Sequence, residues 1–301
     1  MDNVINQRVI GLLSVLLVIF LVTPAMASDG RIRETSSGEA ISEARFMARL
    51  EKADVVILGE LHDDPACHSI QADIIRNLIS AGQVPALYFE MLTDQEEIAH
   101  EDFLRTWADS TNDSLAFKDA ARKGVLAWER RGWPIWDAYA PIFRLADQNG
   151  LPVRHADPSP ELMHNIRRFG LLAIPKQLRI RLFENLKDDE LGKLSNRLTQ
   201  SITDAHGLES TPSGRVGLIQ AQMTRDAYMA LRLSQAERPA VLIAGIEHAR
   251  KDHGVPFHLG QRAPHLNIVA IALCGVLPPV QESTPPTLLP FDFYWLVDSG
   301  E

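Results

Sequence analysis

The sequence predicts an α/β fold with a mostly parallel central sheet flanked by helices. Three observations support this prediction. Short apolar runs rich in β-branched residues alternate with helical segments along the chain. Residues 55–89 have the strand, helix and strand order of a βαβ unit. Of the 301 residues, 46% are hydrophobic, so the chain is long and apolar enough to bury a full core.

The first 27 residues are predicted to be a signal peptide. Arg8 precedes an apolar run from Val9 to Val22, and Ala25-Met26-Ala27 has the small residues of a cleavage site. Cleavage after Ala27 would leave Ser28 as the first residue of a periplasmic or secreted protein. The run has about 14 residues, fewer than the roughly 20 that span a bilayer, so we expect no stable membrane span after cleavage. An uncleaved anchor is the alternative.

The remaining chain is predicted to be one domain, residues 28–301. Residues 28–45 are polar and are interpreted as a tether or a first helix. Val55 to Leu58 is a buried parallel strand by its length and β-branching, and the apolar face of the following helix ends before Gly82. Two helical insertions, at about 93–150 and 161–236, are expected to form a cap. Further strands are predicted at residues 85–89, 152–155, 241–244, 266–273 and 291–297.

Charge and cysteine content exclude several classes of protein. A net charge of −9 argues against a nucleic-acid-binding protein, which needs a basic face to neutralise phosphates. Two cysteines are too few for a disulfide-rich scaffold or a four-cysteine zinc site. Outside the cytoplasm, Cys67 and Cys274 either form one disulfide or remain two thiols.

Polar side chains follow four of the predicted strands. In a parallel sheet, ligands bind beyond the carboxyl ends of the strands, so these side chains are candidates for a common site. Two of the strand ends share a pattern, because residues 55–62 and 241–248 are each an apolar strand followed by G-x-x-H. The side chains, in chain order, are Glu60, His62, Glu90, His155, Asp157, Glu247, His248, Arg250 and His253.

Three kinds of chemistry fit these residue types. A divalent metal such as zinc or manganese would use Glu60, His62 and His248. A general acid–base pair would use Glu60 and Glu90. A bound cofactor would use a histidine or tyrosine as an axial ligand, with arginines on its acidic groups. The sequence has no H-E-x-x-H, G-x-S-x-G or P-loop motif, so a zinc-protease helix, a serine-hydrolase elbow and a P-loop kinase are unsupported.

Several segments together resemble one known family, the ChaN-like haem-binding uptake family of the Tiki/erythromycin-esterase-like superfamily. They occur in the family's order from about residue 50 to 260. They are Leu58 to Asp63 with His68 and Gln71, Phe89-Glu90-Met91, Trp136 to Tyr139 with Pro141, Gln222 to Ala230, and Ala244 to Pro256.

The resemblance implies extracytoplasmic haem binding linked to iron acquisition. It implies Tyr139 or His253 as the ligand of the haem iron, and an outer-membrane haem-uptake system as a partner. Two haems stacked between two subunits would make the protein a homodimer. The residues implied to contact haem are His62, Tyr139, His248, Arg250 and His253.

The same superfamily contains hydrolases, which gives an alternative function. The resemblance then implies an acid–base or metal-assisted esterase or peptidase that uses Glu60, His62, Glu90 and His248. A third reading is an exported interaction module in which these polar groups only stabilise the strand ends. Haem binding without catalysis is the preferred prediction.

Overall fold

The computed structural model describes residues 30–108, 114–206, 212–274 and 289–296. The predicted signal peptide with its cleavage site lies outside these residues. Most of the proline-bearing segment after residue 277 also lies outside them. So does the side chain of Cys274, so both alternatives for the two cysteines, one disulfide or two thiols, stay open.

Seven strands form one sheet. They are β1 (Ile32–Glu34), β2 (Val55–Glu60), β3 (Ala86–Phe89), β4 (Val153–His155), β5 (Ala240–Gly245), β6 (Ile268–Cys274) and β7 (Phe293–Leu296). Their order across the sheet is β1-β7-β6-β2-β5-β3-β4. Only the β1–β7 pair is antiparallel among the strand pairs of the described chain. The predicted fold class is therefore confirmed.

Ten α-helices connect these strands within the described residues. They are α1 (Glu43–Leu50), α2 (Pro65–Ser80), α3 (Asp94–Ala108), α4 (Leu115–Val125), α5 (Trp136–Asn149), α6 (Pro160–Phe169), α7 (Lys176–Phe183), α8 (Asp188–His206), α9 (Pro212–Ser234) and α10 (Val255–Arg262). Helices α1, α2 and α5 pack on one face of the sheet, and α9 and α10 pack on the other. Alternate residues of β2 supply the two cores: Val56 and Leu58 face the first layer, and Val55 and Ile57 face the second.

The strand order brings the polar strand ends together. Because β5 lies between β2 and β3, the residues that follow these three neighbouring strands share one edge of the sheet. Gly59 permits a close approach there. A Cβ at this position would lie 2.6 Å from Cβ of Ala249, in the 3₁₀ turn Ile246–Ala249 that follows β5. This turn carries His248 and is thereby held against the end of β2.

Two local predictions were wrong. The segment interpreted as a tether or first helix contains strand β1 before α1 begins at Glu43. A three-residue strand with a single buried side chain, Ile32, gives no periodic signal in the sequence. The three-residue spacing of Trp133, Trp136 and Tyr139 predicts one side of a helix with Pro134 in its first turn, but α5 begins at Trp136 and Trp133 lies in the preceding loop. Of the helices in the described ranges, none has both the length and the apolar character needed to cross a bilayer.

Candidate functional site

Five side chains form a buried chain of alternating carboxylates and imidazoles at the carboxyl ends of β2, β3 and β5. Each imidazole lies between two carboxylates, an arrangement that favours its protonated form. The outer imidazole, His62, has 34% of its side chain exposed, whereas the other members are nearly inaccessible. The members, in spatial order, are Glu60, His62, Glu90, His248 and Asp226.

Glu60 ends strand β2 and accepts hydrogen bonds from three sides. Its Oε1 is 2.8 Å from Nδ1 of His62 and accepts a short bond from the Tyr139 hydroxyl. Its Oε2 accepts a 2.6 Å bond from the Gln71 side-chain amide and lies 3.3 Å from Nδ1 of His68. Burial opposes ionisation, but the bonds from His62 and His68 outweigh it and lower the pKa of Glu60 to about 2. Glu60 is therefore a fixed anion.

Glu90 joins the two imidazoles. Its Oε2 accepts a 2.7 Å bond from the backbone N–H of Gly245 and lies 3.7 Å from Nε2 of His62. Its Oε1 lies 3.3 Å from Nε2 of His248. Burial works against the charged forms, yet the charges of His248 and Arg225 hold the pKa of Glu90 well below its usual range. A Cβ on Gly245 would lie 3.0 Å from Nε2 of His62, so a larger residue there would require the imidazole to shift.

His248 is held between Glu90 and a carboxylate of helix α9. Its Nδ1 lies 2.6 Å from Oδ1 of Asp226. Burial lowers the pKa of His248, but the negative charges of Glu90 and Asp226 more than compensate and raise it to about 10. His248 is thus an imidazolium at neutral pH.

Arg225 connects the carboxylate–imidazole chain to the protein surface. Its guanidinium makes a bidentate pair with Asp157, with N–O distances of 2.7 and 3.0 Å. Its Nη2 also lies 2.8 Å from Oε1 of Glu90. Burial raises the pKa of Asp157, and the Arg225 charge opposes that rise. One guanidinium is therefore shared by two carboxylates.

A cleft of about 390 Å³ opens beside Arg225 and Asp157. Its size lies within the range of small-molecule sites. Trp133 forms part of its wall and also contacts the His62 ring edge to face, with ring centroids 5.5 Å apart. The cleft therefore adjoins His62, the partly exposed member of the carboxylate–imidazole chain. Its lining residues are Arg131, Trp133, Asp157, Pro160, Met163, His164, Arg167 and Arg225.

The structure brings together four of the predicted residues: Glu60, His62, Glu90 and His248. Tyr139 lies beneath Glu60 with no exposed surface. Burial and the Glu60 charge raise the pKa of Tyr139 far above that of a free phenol, so its hydroxyl stays protonated.

Three other predicted residues lie apart from the cleft lining. Arg250 makes a bidentate pair with Asp252, with N–O distances of 3.1 and 2.9 Å. His253 is buried, with ring nitrogens 3.4 and 3.5 Å from Asp252 and Glu247. His155 is not part of the carboxylate–imidazole chain; its Nδ1 lies 2.6 Å from the Glu97 carboxylate.

Across the described ranges, no group of three or more His, Cys, Asp or Glu side chains is arranged to hold a metal ion. The metal alternative on Glu60, His62 and His248 therefore has no support from the geometry. The imidazole nitrogens of His62 and His248 instead face carboxylates within the chain.

Arg131 is one of the arginines that the sequence offers for the acidic groups of a cofactor, whereas Arg167 and Arg225 were not predicted for that role. Arg225 and Asp226 are consecutive charged residues within an apolar stretch of helix α9, and such residues need partners when buried. This pair of consecutive charges is therefore a feature of the sequence that indicates a buried polar site. His164 and Arg167 join Arg131 only in the folded chain, and nothing in their local sequence marks these two residues.

Comparison with known proteins identifies the family and the fold. A family model described as haem-binding uptake, Tiki superfamily, ChaN matches residues 46–259. No curated protein matches the chain. The structure is similar to that of Campylobacter jejuni ChaN, described as showing cofacial haem binding, with a TM-score of 0.69 and 21% identity over 88% of this chain and 96% of that one. At that identity, the likeness shows the fold.

Two more distant structures also match. The type III effector HopBA1 is similar with a TM-score of 0.44 and 12% identity, over 93% of this chain and all of that one. A mutant of the erythromycin esterase EreC, in its open conformation, is similar with a TM-score of 0.40 and 15% identity, over 88% of this chain and 82% of that one.

Proposed function

Because the chain belongs to the haem-binding uptake family of the Tiki superfamily, we propose that it binds haem and serves haem or iron acquisition. One observation carries the proposal. Three arginines and a tryptophan line a single cleft on a protein whose net charge is −9. Haem offers a flat apolar ring, two carboxylates and an iron with axial positions, and each of these has a counterpart in that lining.

The cleft residues suit haem in distinct ways. Trp133 and Met163 would contact the ring, and the three arginines of the lining would pair with the two carboxylates. His164 is exposed on α6 and would bind the iron through its imidazole. Bound haem would supply the iron centre; the protein supplies orientation and charge. His164 thus replaces Tyr139 and His253 as the proposed axial ligand, because both of those side chains are buried.

A haemin titration tests the charge of the cleft. We expect a saturable Soret band with the purified protein and at least about tenfold weaker binding with Arg167→Glu, since a charge reversal replaces attraction with repulsion. The matched control is Arg168→Glu, which reverses an exposed charge one residue further along α6, outside the cleft lining. Equal affinities for the two variants would reject the cleft as the haem site.

Absorption and resonance Raman spectra test the axial ligand. His164→Ala should change the ligand-field bands of bound haem, while His265→Ala, which removes another exposed imidazole, should not. Spectra that instead change with His253→Ala or Tyr139→Phe would assign the iron to one of those residues.

We also propose that the chain is exported and cleaved after Ala27, and that it acts with an outer-membrane haem-uptake system. The apolar run and cleavage motif in the sequence support export. Mass spectrometry of the processed protein from cell fractions would test it, and a full-length mass would contradict it. Sedimentation with and without haem would test a homodimer with stacked haems.

The carboxylate–imidazole chain favours a second candidate, an acid–base hydrolase. His62 is partly exposed and contacts Trp133 of the cleft wall, with Nδ1 on Glu60 and Nε2 facing Glu90, so it could move a proton to or from an ester bound nearby. Glu60→Gln and His248→Ala should then abolish turnover of ester or peptide substrates. Turnover unchanged in both variants would reject the hydrolase. If both variants lose only stability, the chain is a structural feature of the strand ends.

A further inference from the structure

Arg225 is shared between the cleft and the buried carboxylate–imidazole chain. It lines the cleft, and its guanidinium already faces two carboxylates, Asp157 and Glu90. Asp157 is the single carboxylate in the lining of this cleft, and 13% of its side chain remains exposed. Asp157 therefore occupies the position on Arg225 that an incoming anion would use.

A ligand carboxylate beside Arg225 would be the third anion on one guanidinium. Like charges at close range in a half-buried site repel strongly, and the usual relief is protonation of one of them. Glu90 is fixed as an anion by His248 and by the Gly245 N–H. Asp157 has Arg225 as its ion-pair partner. Its ionised form is therefore the one that is destabilised most when a ligand anion binds to Arg225.

We propose that Asp157 is a specificity-determining residue of this cleft: an anionic ligand takes the place of the Asp157 carboxylate on Arg225, and Asp157 takes up one proton from solvent. The inference rests on the proposed haem site and concerns how its carboxylates are received. The affinity for anionic ligands then increases as the pH falls, whereas the affinity for neutral ligands is not increased by this exchange.

The surroundings of Asp157 agree with this role. The carboxyl is already predisposed to protonate, since burial raises its pKa and Glu90 adds to the rise. Charged and titratable groups face it from several elements. They are Arg225 and Tyr228 on α9, Glu90 after β3, His248 after β5, Arg131 in the 3₁₀ turn before α5, and His164 and Arg167 across the cleft on α6.

Calorimetry with iron-free mesoporphyrin, which carries the same two carboxylates, tests the proposal without iron ligation. Titrations between pH 6 and 8 in buffers of different ionisation enthalpy count the protons bound. We expect the wild-type protein to take up nearly one proton for each porphyrin that it binds. This measurement requires no variant. Asp157→Asn should take up none and bind at least about tenfold more tightly at pH 8, because wild-type binding weakens about tenfold for each pH unit above the pKa of Asp157. The control Glu161→Gln removes an exposed charge on α6 outside the lining and should retain the uptake.

Each other outcome is decisive. Porphyrin binding without proton uptake in the wild-type protein overturns the role of Asp157 and leaves the haem site standing. Binding of haemin but not of mesoporphyrin also overturns it, because recognition then lies at the iron. Failure of both ligands to bind overturns the proposed function together with this inference.

Discussion

Asp226 on helix α9 and His248 after strand β5 meet in the core, where Asp226 Oδ1 lies 2.6 Å from His248 Nδ1. The other ring nitrogen of His248 lies 3.3 Å from Glu90. An imidazole between two buried carboxylates is stabilised as the cation, and the cation in turn keeps both carboxylates from being unpaired charges. This contact also fastens α9 to the end of the sheet that carries the cleft.

The protein should lose stability as the pH rises from about 6.5 towards 10. Since the pKa of His248 is raised from 6.5 to about 10 in the folded state, its contribution is complete below 6.5 and vanishes above 10. Urea unfolding at several pH values measures this. The His248→Gln variant should be less stable near pH 6 and show a flatter alkaline limb, whereas identical pH profiles would contradict the assignment.

Replacing Tyr139 should affect stability more than haem binding. Its buried hydroxyl donates to the Glu60 carboxylate, so Tyr139→Phe should cost about 1.5–3 kcal/mol of unfolding free energy. Tyr228→Phe is the control, because that hydroxyl lies 3.3 Å from a histidine nitrogen and should cost about 1 kcal/mol. Thermal unfolding and a haemin spectrum measure both effects. Loss of the Soret band in a folded Tyr139→Phe variant would indicate that Tyr139 is a ligand of the haem iron.

The close approach at Gly59 should not tolerate a methyl group. Gly59→Ala would place its Cβ 2.6 Å from Ala249 and 3.1 Å from backbone atoms of two neighbours, costing about 1–3 kcal/mol. Gly124→Ala in helix α4 meets no atom within 4 Å and should gain about 1 kcal/mol from helix propensity. Chemical denaturation of the pair measures the contrast, and a neutral Gly59→Ala would show that the turn can move away.

Of two arginines, Arg122 on α4 and Arg105 on α3, only Arg122 should matter strongly for the stability of the protein. Its fully buried guanidinium lies 5.2 and 5.6 Å from the ring centroids of Phe103 and Phe143 and pairs with Asp147. Arg122→Ala should cost about 1–3 kcal/mol, because it removes the buried ion pair while Lys118 Nζ remains 2.8 Å from the Asp147 carboxylate. Arg105→Ala, at an exposed ion pair on α3, should cost less than about 1 kcal/mol. Similar midpoints for the two variants would refute this difference.

Much of the fold could be predicted from local sequence patterns. The β-branched run of β2 and the apolar run of β5 are continuous because both faces of these strands are buried, so the sequence marks them strongly. Strand β1 could not be predicted in the same way, because it pairs only at the sheet edge and buries one of its three side chains. Trp133 was misplaced for a related reason: the spacing to Trp136 suits a helix, but the loop before α5 is fixed by a bond from the Trp128 indole to Pro134.

The sequence by itself determined the α/β class, the family resemblance and four members of the buried chain: Glu60, His62, Glu90 and His248. These residues follow strands directly, so their position is a consequence of local structure and parallel topology. Only the tertiary structure decided that Tyr139 and His253 are buried. It also decided that Arg131, Asp157, His164, Arg167 and Arg225 share one cleft. Their meeting depends on how the connecting segments and helices α6 and α9 pack over the sheet edge, and packing between segments distant in sequence leaves no periodic trace in the chain.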